Sequence, residues 1–499
     1  MTRIFKLTIV IVWLGAIGWL AAKTDWSDKD VRAGGEAGDL LALEIKELDP
    51  GAAGYEEAWF GVYLRDVKVG YTRSAFEVYE GGVLFADEVR WDMQVMGAKR
   101  QILMKQRGEL DKNHSLSRMH FRLETEGSTL EAAARHRGKL LDAVIVTAGG
   151  EQNIQLDVPE QLTTPAAVYL TLREKGLKVG AEYRFDIFDP FVQQSSVMTV
   201  NVEGTEDLDI GGKTRTLYRV SQNMLGNTST MWLDEKARVW REQTAEGLEM
   251  RRESAEQAGK DIRGGDLDIG ELFAVRVVGK LENIPSLREV TYRIEGLGDG
   301  FDDLSGLRQS ATSLESGVRL TLAREEVPAT GSYELPYTGS EYAGFLKAEP
   351  FVPVGHPKLT EQARKIIGDE KDPVAAARAL TTWVFDNLAK QNVVGVPNAL
   401  EALETRSGDC NEHATLLVAL ARSVGLPARV AVGLVHLQGS FYYHAWTEFY
   451  VGQWVSADAT VDQMPADVTR IRLAQGNMGE QAKLTSLLGK LQITIEEAR

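Results

Sequence analysis

The sequence predicts an α+β chain that opens with a membrane segment, on three observations. Arg3 and Lys6 precede an uncharged apolar run over residues 7–22. Short alternating segments then dominate to about residue 334, as strands with one solvated face should. Past Tyr337 the pattern turns to helices and then to strands, an α+β layout.

Composition narrows the function classes. A length of 499 residues suits several domains. Hydrophobic residues at 43% and charged residues at 26% are those of a folded globular protein. The net charge of −16 argues against a nucleic-acid partner, which calls for basic surface. Cys410 is the single cysteine, so no intrachain disulfide can form.

The elements follow in order. The apolar run is a little short of the roughly 20 residues a full span needs. Trp13 and Trp19 make it bulky, and Leu20-Ala21-Ala22 is a poor cleavage site. Residues 1–23 are therefore read as a signal-anchor or a cleaved signal peptide. Both readings keep the cations inside and export the rest. The bulk then lies in the periplasm or another extracytoplasmic space, membrane-anchored or, after cleavage, secreted. Residues 24–54 are polar and Gly/Ala-rich, and read as a tether.

Residues 55–254 read as a curved, mostly antiparallel β domain. Arg90 to Val95 alternates with period two, and Gly97 closes that segment. The polar residues 234–237 separate two strands of a hairpin. Residues 165–175 read as a helix capped by Thr164 and stopped by Gly176. A polar linker containing Gly264-Gly265 follows. Residues 271–336 make a small β module, and residues 341–480 a further domain ahead of a 481–499 tail. In that domain Asp372-Pro373 opens a helix in the order a cap requires. A short helix follows from about 398 to 405. Another starts at Cys410 and ends at Gly425-Leu426-Pro427. Strands follow over 428–437, 441–451 and 453–459.

The chemistry concentrates in that last domain. In Gly408-Asp409-Cys410-Asn411-Glu412-His413-Ala414 the cysteine sits at a helix start, where the partial positive charge favours a thiolate. A lone cysteine is more often an inert core residue. His444, in Tyr442-Tyr443-His444-Ala445-Trp446, could equally be a packed residue, and Asp458 a solvated turn acid. Together Cys410, His444 and Asp458 supply a nucleophile, a base and a group to orient the base. Their strands should form a hairpin around Gly452. An odd connection over 451–453 opposes Trp446 to Asp458 and puts His444 diagonally beside it on one face. A two-residue loop would turn the acid away. As a strand-end acid, Asp458 is expected to matter for turnover and little for stability.

Four blocks, Gly408 to Ala414, Gly425-Leu426-Pro427-Ala428-Arg429, Tyr443-His444-Ala445-Trp446 and Trp454 to Thr460, resemble the transglutaminase-like superfamily in its bacterial form. The resemblance covers about residues 347–476. It implies a papain-like α+β fold and acyl transfer from an amide through a thioester, with Cys410 as nucleophile, His444 as base and Asp458 as orienting acid. The family often has Asp-Pro-Thr where this chain has Asp458-Ala459-Thr460. The Cys410 backbone N–H is expected in the oxyanion hole, and Gln391 and Asn392 are candidates for its second donor. The implied partner is a peptide or protein amide, and no cofactor is implied.

Two rival readings remain beside it. Cys410, His413, His436 and His444 could form a zinc site, but an irregular one that leaves Asp458 without a role. His413, one turn from Cys410, is read as structural. The fold could also serve as a non-catalytic binding or assembly module. Within the enzyme reading, hydrolysis is preferred to cross-linking, since water is abundant and no lysine-donor pocket is legible.

Overall fold

The computed structural model describes residues 40–41 and 45–499, apart from 96–97, 126–127, 148–149, 190–193, 225–226, 245–246, 268–273, 299–300, 302–303, 350–351, 392–397, 476–483 and 488. The expected membrane segment, most of the tether, Gly97, Phe273 and Asn392 lie outside the described residues. The chain separates into two compact units that divide between Asp268 and Ile269.

The first unit is one fourteen-stranded antiparallel sheet. Its first eight strands are β1 (Tyr55–Leu64), β2 (Val67–Tyr79), β3 (Gly82–Val95), β4 (Ala98–Leu110), β5 (Leu116–Thr125), β6 (Ser128–Arg137), β7 (Leu140–Thr147) and β8 (Gly150–Asp157). Its last six are β9 (Glu182–Asp189), β10 (Gln194–Ile210), β11 (Lys213–Met224), β12 (Asn227–Leu233), β13 (Val239–Thr244) and β14 (Leu248–Glu253). Both groups are up-and-down meanders, joined where β1 pairs with β14. That puts β8 and β9 at opposite edges. The one connection that travels from edge to edge carries α1 (Pro165–Lys175). Pro165 opens this helix behind Thr164, and Gly176 stops it at φ 72°.

Among its described residues the second unit holds two larger sheets, a two-stranded one and a helical layer. β15 (Arg276–Val278), β16 (Glu289–Glu295), β17 (Gln309–Ser313) and β18 (Val318–Ala323) precede the helices. The helices are α2 (Pro357–Ile367), α3 (Pro373–Asn387), α4 (Ala399–Thr405) and α5 (Cys410–Ser423). The two-residue strands β19 (Ala389–Lys390) and β20 (Ser407–Gly408) pair in parallel. Then come β21 (Ala428–Leu437), β22 (Ser440–Tyr450), β23 (Trp454–Ala457), β24 (Arg470–Gln475) and β25 (Gln492–Ala498). One sheet runs β15-β25-β16-β18-β17 and the other β23-β22-β21-β24. Residues 481–499, expected as a tail, thus place β25 in the interior of a sheet. The physical reason is the backbone of β16, whose hydrogen-bonding groups pair with β18 on one side and with β25 on the other.

The α+β expectation for the chain is corrected. Among the described residues it is mostly β, with 50% in strands and 18% in helices. Strands of 10 to 17 residues in the first unit, such as β2 and β10, outweigh helices that fall chiefly within residues 357–423. No helix among the described residues is long and apolar enough to cross a membrane.

Helix α5 is the centre of the second unit. Asp372 caps α3 by accepting from Ala375 N at 2.8 Å, and α2, α3 and α4 all pack on α5. Its other side meets β21 and β22. Every residue from Glu412 to Arg422 is buried, as a helix surrounded by partners requires.

The β22–β23 hairpin has the odd connection. Thr447 pairs with Ala457 and Tyr450 with Trp454, leaving Val451, Gly452 and Gln453 as the turn. Gly452 sits at φ 107°, and a Cβ there would come within 2.4 Å of Ser332 Oγ. Gly452→Ala should therefore destabilise the protein by about 2 kcal/mol. Urea denaturation measures this, and an unchanged midpoint would show that neither the dihedral nor Ser332 constrains the turn.

Candidate active site

Three elements deliver the site. The start of α5 carries Cys410, the middle of β22 carries His444, and the residue after β23 is Asp458. Extending the hairpin register by one position opposes Trp446 to Asp458, which leaves His444 diagonally beside the acid. The contact is made: His444 Nε2 lies 2.7 Å from Asp458 Oδ2. The other ring nitrogen, Nδ1, is buried with no hydrogen-bond partner. The Ala445 backbone N–H, next along the strand, hydrogen-bonds the Cys410 sulfur. The thiol is thus held against the residue that follows the histidine.

Asp458 is fully buried, and four groups serve its carboxylate. Oδ2 accepts from His444 and from Arg470, at 3.1 Å from Nε and 2.9 Å from Nη2. Oδ1 accepts the Thr460 N–H at 3.0 Å and its hydroxyl at 2.6 Å. Burial by itself would raise the acid's pKa. The charges of His444 and Arg470 and the hydrogen bonds from His444 and Thr460 outweigh it and hold the carboxyl far below the ordinary range. The expectation that Asp458 matters little for stability is therefore corrected, because removing its charge takes from a buried arginine one of its two carboxylate partners.

Arg470 was not legible as part of the site. It is 5% exposed and also pairs with Asp467. It starts β24, which pairs with β21. Gly433 in β21 permits that approach, since a Cβ on it would lie 1.9 Å from the Ile471 carbonyl oxygen. The sheet order puts β23 and β24 at opposite edges, so the contact depends on the path of the chain between residues 458 and 470, and nothing in the local pattern of Arg470-Ile471-Arg472 marks it.

The start of α5 is built from acids. The Asp409 carboxylate accepts the Asn411 N–H at 2.8 Å, and Glu412 Oε2 accepts the Asp409 N–H at 2.9 Å, a capping box. Both acids are buried. Burial, then the charge of Asp409, pushes Glu412 well above the ordinary range. The consequence for Cys410 reverses the expected thiolate. Burial, then the Asp409 charge, pushes the thiol well up, with Glu412 and Asp458 adding to it and only the Ala445 N–H opposing them. A helix terminus contributes about 0.3–1 kcal/mol at an exposed site, and here burial and three acids outweigh it.

The remaining candidates fall into place. His413 has Nδ1 2.6 Å from the Asp409 carbonyl oxygen, and burial lowers its pKa to about 4. It is a neutral imidazole tied to its own helix. His436 packs edge-on against Phe441 at 5.2 Å. Among the described residues no group of three His, Cys, Asp or Glu side chains could hold a metal ion. The Gln391 backbone N–H is already committed to the Gly408 carbonyl at 3.1 Å. The Cys410 backbone N–H has no partner among the described residues.

Comparison with known proteins bears on the same region. Residues 360–459 match the model of the transglutaminase-like superfamily. An uncharacterised protein of Haemophilus influenzae is 28% identical over 160 residues, which cover 26% of this chain and 42% of that protein. The chain therefore spans less than half the length of that relative. Among solved structures, a candidate cysteine protease from Cytophaga hutchinsonii shares 18% identity at a TM-score of 0.28, covering 43% of this chain and 87% of the other. A β-barrel-like protein of Brucella abortus, from a domain family of unknown function, shares 14% identity at a TM-score of 0.30, covering 40% and 94%. The chain carries, over residues 360–459, a domain of the transglutaminase-like superfamily.

Proposed function

We propose that this domain is a cysteine acyl-transfer enzyme that acts on a peptide or protein amide through a thioester. Cys410 is the nucleophile, His444 the base and Asp458 the group that orients the base. The observation that carries this reading is the division of the imidazole. Asp458 occupies Nε2, while Nδ1 stays buried and unpartnered next to the residue whose N–H bonds the Cys410 sulfur.

The steps follow from that division. Asp458 fixes the tautomer with hydrogen on Nε2, so Nδ1 carries the lone pair. The resting nucleophile is the thiol, given what surrounds the sulfur. As the sulfur attacks the amide carbonyl, Nδ1 takes the thiol proton. The Cys410 backbone N–H is offered to the oxygen that gains charge. The imidazolium then returns its proton to the leaving amine, and a thioester remains. Water, activated by Nδ1, releases the acid and restores the thiol. Hydrolysis is favoured over cross-linking because water is the abundant acceptor. The basic start and the apolar run over residues 7–22 support work outside the cytoplasm.

Cys410→Ser should abolish labelling by a thiol-reactive peptide-amide probe and any amide turnover, while the melting temperature stays near that of the wild type. Mass spectrometry of the adduct reads the first, and retained turnover would mean another nucleophile. His444→Ala should slow adduct formation at Cys410 without moving its site.

Asp458→Asn should lower turnover by about 10–10³-fold, less than His444→Ala does, because a thiol depends less than a hydroxyl on an oriented base. The same variant should lose about 1–3 kcal/mol of stability, because Arg470 keeps only Asp467 as a counter-charge. A fully stable variant would contradict the buried pair, and an unchanged kcat would leave a Cys–His dyad as the working unit.

The raised thiol pKa gives a signed pH dependence. Alkylation of free enzyme by iodoacetamide should climb about tenfold per pH unit from pH 6 to 8, since only the thiolate reacts. A plateau on the acid side would instead reveal a resting thiolate–imidazolium pair.

A further inference from the structure

The first unit contains a cavity of about 290 Å³, close to the lower end of the range for small-molecule sites. Residues of β2–β5 line one side, residues of β10–β13 line the other, and α1 contributes Tyr169 and Arg173. The sheet must therefore curl until its two wings face one space. The walls are largely apolar. Phe60 and Phe76 line it with four methionines, Met104, Met198, Met224 and Met250. Unbranched thioether chains adjust to varied apolar shapes.

Four carboxyl groups line the cavity; Glu56 pairs with Arg173 and Glu57 with Arg73, which leaves Asp87 and Glu242. Asp87 lies in a register row with Ser74 and Gln106, between Ala58 and Phe121. Gln106 Nε2 donates to it at 2.6 Å, and Ser74 also hydrogen-bonds it. On the facing wing, Glu242 stands between Met231 and Met250 in register. Its hydrogen-bond partner is Ser229. Burial raises the pKa of both acids.

The cations that line the cavity are already engaged. Arg173 forms a two-pronged contact with Glu56 at 2.7 and 3.1 Å, Arg238 pairs with Asp234 at 2.7 Å, and Arg252 donates to the Val239 carbonyl at 3.0 Å. Among the described residues neither Asp87 nor Glu242 has a cation within ion-pair distance, although the charge of Arg73 acts on Asp87. A carboxyl such as Glu242, left in an apolar wall without a counter-charge, is costly to ionise. An entering cation removes that cost and gains a charge-assisted hydrogen bond. An entering anion meets the unpaired Asp87 and Glu242, and of the lining cations only Arg252 keeps a charge that no carboxylate pairs.

We propose that this cavity is a binding site for a cationic amphiphile, with an apolar body against the methionine and phenylalanine walls and an ammonium head on Glu242. Glu242 is the first seat because it keeps fewer donors of its own than Asp87. The site is separate from the cysteine chemistry, belongs to the first unit alone, and does not depend on the proposed enzymatic reading.

Calorimetric titration of the full chain with octylammonium, octanol and octanoate at one ionic strength tests it. Octylammonium should bind at least about tenfold more tightly than octanol, the gain of one charge-assisted bond, and octanoate should bind weakest. Glu242→Gln should bring octylammonium down to the octanol level and leave octanol unchanged, and Asp87→Asn should have a smaller effect. Equal affinities for octylammonium and octanol would overturn the cation seat and leave a neutral apolar pocket. Tightest binding of octanoate, or no binding of any of the three, would overturn the proposal outright. If a variant fails to fold, the wild-type ranking decides by itself.

Discussion

The site depends on one buried carboxylate. Asp458 has no contact with solvent, so its charge survives only because Arg470, His444 and Thr460 surround it. Each of those groups comes from a different stretch of chain: β24, β22 and the turn after β23. The carboxylate therefore does two jobs with one charge. It knits the sheet edge to the hairpin, and it fixes which nitrogen of His444 is left over. A neutral residue at 458 would fail at both, since Arg470 would be left with Asp467 alone and the imidazole free to take the wrong tautomer.

The acids at the start of α5 pull in another direction. Asp409 and Glu412 cap the helix well, and a firm cap holds the nucleophile in place. They also bring negative potential next to a buried sulfur, which favours the protonated thiol. Positional rigidity is thus obtained at the expense of resting reactivity. The imidazole Nδ1, buried and without another partner, is the group placed to offset that. Such an arrangement suits a thiol that ionises only as it attacks.

The first unit obeys a different logic. Its strands follow one another in simple meanders, so local hairpins account for nearly all of its pairing. The single long-range join, β1 with β14, is what unites two sheets into one. Once united and curled, the sheet encloses space that its side chains only partly fill, and polar groups on facing wings share one cavity. No nearest-neighbour pattern along β3 or β13 could have announced that Asp87 and Glu242 look into the same space.

By itself the sequence determined the parts whose physics is local. Gly176 stops α1, although the expected cap from the Thr164 side chain is not made, Asp372 caps α3, and α5 starts at Cys410, because caps and stops act within a turn of the residues that form them. The order of Cys410, His444 and Asp458 in their motifs was legible for the same reason, and so was the need for an odd turn at Gly452. Tertiary structure decided what lies between distant segments. The balance of the whole chain toward β, the place of β25 inside a sheet, the Arg470 clamp on Asp458 and the raised thiol of Cys410 all arise from burial, from strand order and from the path of the chain between strands. Those depend on which surfaces meet, and a one-dimensional pattern carries the periodicity of a surface but not the identity of its partner.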